Sequence, residues 1–314
     1  MTRFILWRLG STLLFLLLAS ALIFFTLALA PTDAAVQMLG ERASSQALLT
    51  LRHQLGLDHP MNVRYLEWLT ALLRGDVGTS LMSKQSVAEL IAPAAARSAL
   101  LALLAALGML LLGGIGGIVA AIYHARWPDR LLSSFALSGL STPEFIVATL
   151  LILVFAVGLR WLPAVSLPPP SGHISEQWSI LVLPAITLSL ISGCYLLRMV
   201  RASLLRLITA PNIVSARMNG VGVAALVGRH LLPQASGSLA QMVAATVPYL
   251  FGGTVIVERI YGYPGLGELL LTAFSTRDAI LLQGVAMLLA AITAMCWLIA
   301  DIFVAWVDPR RMRP

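Results

Sequence analysis

Long apolar runs, separated by short polar stretches, dominate the hydropathy pattern of the chain. A helix needs about 20 apolar residues to cross the hydrocarbon core of a bilayer. Six runs approach or exceed that length, and they cover residues 9–30, 98–123, 131–159, 177–197, 231–257 and 279–307. The pattern therefore predicts an all-α integral membrane protein with six transmembrane helices in a single domain, residues 1–314.

The composition supports this prediction. Of the 314 residues, 59% are hydrophobic and 11% are charged, whereas soluble domains carry about 25% charged residues. A disordered chain is excluded, because disorder needs low hydrophobicity and high charge. The net charge is +7, but the basic residues separate the apolar runs instead of covering one soluble face. We therefore expect a lipid bilayer around the chain and no nucleic-acid partner.

The first apolar run has two interpretations. Arg3 and Arg8 precede it, and its last residues, Ala-Leu-Ala at 28–30, resemble a signal-peptidase site. The apolar core of a signal peptide spans about 7–15 residues, whereas this run has 22. A retained anchor is favoured over a cleaved signal.

The basic residues predict the orientation. A cytoplasmic N-terminus puts twelve arginines and only two acidic residues on the cytoplasmic side, while the other side is close to neutral. Positive charge accumulates on the cytoplasmic side of membrane proteins. Both termini are therefore expected in the cytoplasm, with residues 31–97 outside and residues 200–230 inside.

The external segment contains one amphipathic stretch, residues 61–74. Val63, Leu66, Leu69 and Leu73 share a face at helical spacing. We expect a short helix that lies on the membrane surface or against the helix bundle.

Residues for catalysis or metal binding are not evident. The five histidines lie in predicted loops or at the ends of spans, and no His-Glu-x-x-His or Cys-x-x-Cys pattern exists. Cys194 and Cys296 lie in apolar runs and are expected to pack. Lys84, the only lysine, is not followed by Ser or Thr, so no nucleotide-binding phosphate loop is present. If ATP drives a process here, another subunit binds it.

Two acidic residues lie within apolar runs, where a charge costs several kcal/mol and normally faces a cavity or a partner. Asp301 lies near the cytoplasmic end of its run, which favours an ion pair with a terminal arginine over a transport role. Glu144 follows Pro143. It either lines a pathway or caps the start of a broken helix, and the two alternatives stay open.

The glycine-rich stretch 113–117 lies inside an uninterrupted apolar run, so it is not a phosphate loop. Gly113 and Gly117 instead have the spacing of a small-residue face for close helix packing.

The cytoplasmic segment contains a predicted short helix, residues 209–221. Thr209 is the expected N-cap, Pro211 suits the first turn, and Gly220 suits the C-terminal stop. Ile213, Ala216 and Gly220 fall on one side of this helix, with Arg217 beside them. That face suits docking on a soluble partner, and a plain basic loop is the equal alternative.

Residues 216–220, Ala-Arg-Met-Asn-Gly, with Arg229 and His230, resemble the cytoplasmic EAA loop of ABC importer permeases. The subfamily of peptide and nickel permeases usually has Ala-Arg-Ala-Lys-Gly there. Residues 257–267 are similar to its Glu-x-x-Phe-x-x-Pro-Gly-Leu-Gly segment. The resemblance covers the whole chain, and further matches lie at 30–33, 55–60, 73–78, Arg277-Asp278, Gln283-Gly284, Asp301 and 308–310.

The chain departs from the family pattern in the EAA loop. Val214 occupies the position of the family glutamate, Asn219 that of the usual lysine, and Pro211-Asn212 replaces the usual Asp-Tyr. Residues 221–228 lack the usual charges. The docking surface is thus less polar than is common.

The resemblance implies the fold of a type I ABC importer permease in the bacterial inner membrane. It also implies a second homologous permease subunit, a substrate-binding protein and two ABC ATPases that bind ATP and Mg²⁺, with no cofactor or metal in this chain. The residues implied in ATPase docking are Ile213, Ala216, Arg217, Gly220, Arg229 and His230.

The second motif is expected to form part of an outer gate. Its residues are Glu258, Tyr261, Tyr263, Pro264, Gly265 and Gly267. The alternative is an interfacial loop with aromatic anchors. In both cases Tyr261 and Tyr263 are expected to straddle the membrane surface, and Glu258 to pair with a nearby arginine.

The family carries dipeptides, oligopeptides, glutathione, nickel and metal chelates, and its binding proteins largely select the substrate. We expect import of di- or oligopeptides, with nickel or a metal chelate as the alternative. An intramembrane enzyme and a structural subunit without a pathway are disfavoured.

The missing phosphate loop gives a first prediction. The purified chain alone is expected neither to bind nor to hydrolyse ATP. A nucleotide-binding measurement and a phosphate-release assay check this, and robust hydrolysis by the isolated chain would contradict it.

Overall fold

The computed structural model describes residues 2–29, 36, 44–54, 58–167 and 178–307. These residues are almost entirely helical, and the isolated antiparallel bridge between Thr79 and Ser86 is the one β-type pairing in these ranges. The motif residues 30–33, 55–57 and 308–310 lie outside the described residues.

Within the described residues, twelve α-helices longer than one turn form the fold. They are α1 (Thr2–Ala28), α2 (Ser45–Gln54), α3 (Met61–Leu73), α4 (Val87–Met109), α5 (Gly116–Ile122), α6 (Trp127–Ser141), α7 (Glu144–Leu151), α8 (Trp178–Ile208), α9 (Pro211–Met218), α10 (Leu232–Tyr261), α11 (Leu266–Ser275) and α12 (Ala279–Val307). π-helical turns join α4 to α5 (Leu110–Ile115), extend α7 (Ile152–Gly158) and, after the one-turn helix Val223–Ala225, lead into α10 (Leu226–Leu231).

Up to six spans lie in the described ranges, if each bent pair of helices counts as one. Four continuous helical stretches of these ranges are long and apolar enough to cross a bilayer, and they are Arg3–Ala28, Val87–Ile122, Trp178–Ile208 and Ala279–Trp306. The third span consists of α6 and the α7 stretch, bent by 108°, and the fifth of Val223–Phe251 and Thr254–Tyr261, bent by 41°. The predicted all-α membrane fold is confirmed.

The third span differs most from the prediction, which was one unbroken run over residues 131–159. It breaks at Thr142, whose backbone is extended (φ −100°, ψ 123°), because a residue before proline is disfavoured in the helical region. Pro143 then precedes α7, and Glu144 is the first residue of that helix. Glu144 therefore stands at the start of a broken helix, but its side chain makes no capping hydrogen bond there, and its role stays a prediction.

The chain divides into two compact units. The first consists of residues 1–9, 99–263 and 295–314, and the second of residues 10–98 and 264–294. The description of the chain as one transmembrane domain stays a prediction.

Helix α8 is the centre of the first unit. Buried side chains such as Leu181, Leu188 and Leu196 occupy its whole length. Pro184 lies inside this helix and cannot donate to the carbonyl of Ile180. The Ser166 hydroxyl donates to that carbonyl at 2.6 Å and so replaces the hydrogen bond that the proline cannot make.

The predicted glycine face packs against α8. A Cβ on Gly113 would lie 2.7 Å from both the carbonyl oxygen of Gly193 and Cβ of Leu196. A Cβ on Gly117 would lie 2.6 Å from Cβ of Val200. Both glycines thus allow a backbone approach that any side chain would prevent, which confirms the packing prediction.

In the second unit, α3 packs against α1 through a face other than the predicted one. Tyr65 lies 5.5 Å from the rings of Phe24 and Phe25, and its hydroxyl is 2.9 Å from the Ser20 hydroxyl. The predicted packing residues Val63, Leu66 and Leu73 are exposed. The aromatic residues of α3 make this contact because aromatic rings attract one another in edge-on and tilted arrangements at this distance.

Asp278 organises the loop before α4. Its buried carboxylate accepts hydrogen bonds from the Ser80 hydroxyl at 2.5 Å, from the Met82 amide at 3.3 Å and from the Leu281 amide at 3.1 Å. One side chain therefore caps α12 and anchors the turn around Ser80.

The glycine contacts give a second prediction. Gly117→Ala should cost about 1–3 kcal/mol of stability, because the new methyl group overlaps Val200 and cannot be accommodated without a helix shift. Gly114→Ala is the matched control, since a Cβ there has nothing within 4 Å. In a chain with Cys296→Ala, a fluorogenic maleimide that reacts with the free, buried thiol of Cys194 on unfolding reports the melting temperature in detergent. Equal melting temperatures for the two variants would contradict the close approach.

Candidate functional site

The cytoplasmic segment begins as a continuation of α8. This helix extends to Ile208, eleven residues beyond the predicted end of the fourth span, because Val200, Ser203 and Leu204 continue its buried face. The helix predicted to follow is α9, shorter at both ends than residues 209–221.

The N-terminus of α9 is only partly as predicted. Ala210 is the N-cap residue, in an extended conformation, and Pro211 takes the first helical position. The Thr209 hydroxyl donates back to the Arg206 carbonyl at 3.3 Å, so its predicted role as N-cap is wrong. Proline suits the first position because it needs no amide partner there.

The C-terminus of α9 is as predicted. Gly220 has φ +78°, a left-handed conformation that glycine adopts without strain. Its amide donates to the Arg217 carbonyl at 3.1 Å, and the Val221 amide donates to the Ala216 carbonyl at 3.2 Å. These two bonds form a Schellman motif, which satisfies the last carbonyls of the helix.

The face of α9 that contains Ile213 points inward. Ile213 is 1% exposed and belongs to the core of the first unit, and Ala216 packs against the same core. The prediction that Ile213 offers an apolar contact to a partner is therefore wrong. Val214 is 41% exposed and Met218 is 84% exposed. With the exposed Arg217, they form the outer face of α9.

The two other residues predicted for docking lie further along. Arg229 is exposed and His230 is half-buried. Both belong to the π-helical turn before α10. The structure thus brings Ala216, Arg217 and Gly220 together at the end of α9 and leaves Arg229 and His230 on a separate turn.

An ion pair that the sequence did not predict links α6 to α8. Arg201 Nε donates to Asp129 Oδ1 at 2.5 Å, and Arg201 Nη2 donates to Asp129 Oδ2 at 2.9 Å. The Ala125 amide and the Ser133 hydroxyl also donate to this carboxylate, at 2.9 and 3.0 Å. One feature of the sequence indicates this pair: Asp129 is an acidic residue in the first turn of a helix, next to a strongly basic loop. The pair fixes the cytoplasmic end of α8 just before α9.

The first part of the predicted gate segment, in the first unit, is buried. Tyr261 and Tyr263 are both 0% exposed, as is Glu258. The expectation that the tyrosines straddle the membrane surface is wrong. The Tyr261 hydroxyl is 2.9 Å from the Thr187 hydroxyl and donates to the Ala148 carbonyl at 3.3 Å, so its polar end has protein partners.

The remaining part of this segment belongs to the second unit. The Pro264 carbonyl accepts from Arg97 at 3.3 Å, and the Leu266 amide donates to the Ser98 hydroxyl at 2.7 Å. Gly265 is the extended N-cap of α11, and Gly267 is buried in its first turn. The Ser98 hydroxyl thus accepts the hydrogen bond of the first amide of α11, because Gly265 has no side chain to do so. The role of the segment as an outer gate stays a prediction.

The two acidic residues within spans have different surroundings. Asp301 forms an ion pair with Arg8 at 3.1 Å, which is the terminal-arginine pairing favoured for it. Glu144 accepts a hydrogen bond from the Tyr249 hydroxyl. Across the described ranges, no group of three or more His, Cys, Asp or Glu side chains is placed to hold a metal ion.

Comparison with known families decides the class of the protein. Residues 113–313 match the family described as the inner membrane component of binding-protein-dependent transport systems, and residues 1–91 match the N-terminal family of the same membrane components. The chain belongs to this permease family. It is a transport subunit of the ABC importer class, and it crosses the membrane several times.

Relatives of this permease align along nearly its whole length. The glutathione transport system permease protein GsiC of Salmonella paratyphi A is 32% identical over 309 residues, which is 98% of each chain. The protein of the same name from Escherichia coli is 31% identical with the same coverage.

A solved structure supports the fold of the permease. The inward-facing MetNI methionine ABC transporter contains a chain that aligns with a TM-score of 0.59 and 18% identity. The alignment covers 70% of the permease and 96% of that chain.

The Schellman motif of α9 gives a third prediction. Gly220→Leu should lower substrate-stimulated ATP hydrolysis of the assembled importer roughly fivefold or more, because leucine is strained by about 1–2 kcal/mol in a left-handed conformation. Gly222→Leu is the matched control, since Gly222 has φ −62° and nothing lies within 4 Å of its added Cβ. Equal hydrolysis and transport in the two variants would contradict a coupling role for the end of α9.

Proposed function

We propose that the permease forms the membrane pathway of an ATP-driven importer in a bacterial inner membrane. A substrate-binding protein delivers substrate from outside, a second homologous permease completes the pathway, and two ABC ATPases drive it from the cytoplasm. The observation that carries this proposal is the match of 113–313 to binding-protein-dependent permeases, together with the exposed outer face of α9.

The outer face of α9 suits contact with an ATPase. Val214, Arg217 and Met218 offer apolar surface and one cation, and a flexible methionine adapts to the shape of a groove. ATP and Mg²⁺ bind to the ATPase subunits, which supply the phosphate-binding loops that this chain lacks. The permease contributes the contact and the pathway.

The buried side of α9 explains how a force reaches the spans. Ile213 anchors α9 in the core around α8, and a dense core resists local deformation. A displacement of α9 by the ATPases therefore moves α8 with it. The bidentate Asp129–Arg201 pair extends this connection to α6, so the movement involves three helices.

The substrate is most consistent with a short peptide. The relatives are named as glutathione permeases and align over 98% of the chain, and glutathione is itself a tripeptide. Transport of nickel or a metal chelate by the same architecture is the second candidate, which the experiment below separates.

The fourth prediction tests this function. The permease, purified with its partner subunits through an affinity tag, is reconstituted into vesicles with the binding protein outside and ATP inside. We expect ATP-dependent uptake of labelled glutathione or tripeptides, and no uptake with a non-hydrolysable ATP analogue. Accumulation of nickel without peptides would favour the second candidate. Peptide cleavage without uptake, and independent of ATP, would contradict transport altogether.

A further inference from the structure

A cavity in the first unit lies among three spans. Its volume is about 330 Å³, and it is lined by Leu140, Ile191, Tyr195, Ala245, Thr246 and Tyr249. These residues come from α6, α8 and α10. The volume is within the range of small-molecule sites, which are mostly apolar with a few polar groups. Tyr195 and Tyr249 are 42% and 45% exposed, so the cavity is accessible from outside the chain.

A carboxylate with unused hydrogen-bonding capacity is bonded to one of the lining residues, although it is not itself part of the lining. The hydroxyl of Tyr249, a lining residue, donates to one oxygen of Glu144. The other oxygen, Oε2, is buried and has no hydrogen-bond partner in the part of the chain that the structure describes. A buried carboxylate oxygen without a partner is unfavourable. Glu144 lies midway along the third span, at the break between α6 and α7.

We propose that this cavity is a substrate subsite and that Glu144 receives the protonated amino group of a peptide there once the Tyr249 side chain turns aside. The inference rests on the proposed function and names the chemical group that the pathway recognises. An ammonium group has three donors and a positive charge, which match a carboxylate oxygen that has no other donor.

The rest of the lining suits the same ligand. The faces of Tyr195 and Tyr249 attract a cation. The Thr246 hydroxyl already donates to the Met242 carbonyl at 2.8 Å, so its oxygen remains as an acceptor. Leu140, Ile191 and Ala245 provide apolar surface for peptide side chains. A bound divalent metal ion fits less well, because one carboxylate and neutral hydroxyls are fewer and weaker ligands than such ions require.

The test measures ligand protection of a thiol in the cavity. Ala245→Cys is introduced into a chain with Cys194→Ala and Cys296→Ala, and the importer is purified in detergent without its binding protein. Trialanine, with a free amino group, is compared with N-acetyl-trialanine as a blocker of maleimide labelling. Each peptide is tested with Glu144 and with Glu144→Gln, which keeps the shape and removes the charge.

We expect trialanine to protect the thiol and N-acetyl-trialanine to protect it poorly. With Glu144→Gln, the trialanine concentration for half-protection should rise about tenfold or more, as expected for a lost charge-assisted hydrogen bond. The half-protection concentration of N-acetyl-trialanine should be the same with Glu144 and with Glu144→Gln. If Glu144→Gln does not assemble, the comparison of the two peptides on the chain with Glu144 decides.

Two results would overturn the proposal. The first is equal protection by the two peptides, and the second is a half-protection concentration of trialanine that is the same with Glu144 and with Glu144→Gln. Failure of the proposed function has a different signature, because vesicle uptake is measured separately. Peptide uptake without protection of the thiol would contradict the subsite and leave the transport function standing. Protection of the thiol without uptake would support the subsite and contradict the transport function.

Discussion

The contact between glycine backbone and α8 is the constraint on which the first unit depends. In a bilayer, apolar side chains gain nothing by leaving lipid for protein, so helices associate through close packing. Gly113 and Gly117 allow that packing. Gly193 on α8 allows it from the other side, because a Cβ at Gly193 would lie 2.6 Å from the Leu112 side chain. The buried face of α8, the cytoplasmic ion pair and the anchor of α9 all follow from the position of this helix.

The sequence predicted this contact because the four-residue spacing of small residues reports directly on helix geometry. It predicted the start of the sixth span at Ala279 for a similar reason: α12 is predominantly apolar, and Asp278 caps its first turn. The third span was predicted as one run because hydropathy alone does not register that Pro143 forces Thr142 out of the helical region.

The orientation of individual side chains was less predictable. Pro211 and Gly220 specify the limits of α9, since their conformational restrictions are local. Whether the side with Ile213 faces the core or a partner depends on how α8 places the helix. Tyr261 is a similar case, because Thr187 and Ala148, which accommodate its hydroxyl, are more than 70 residues away in sequence.

The position of Gly193 has a mechanical consequence. It is the middle residue of α8, with fifteen residues on each side, so each half is about 22 Å long. The helix is continuous across Pro184, where Ser166 supplies the missing hydrogen bond. A continuous helix whose close glycine contact lies at its centre can pivot there like a balanced lever. Rotation by about 5° around Gly193 would move Ile208 and Trp178 by about 2 Å each, in opposite directions.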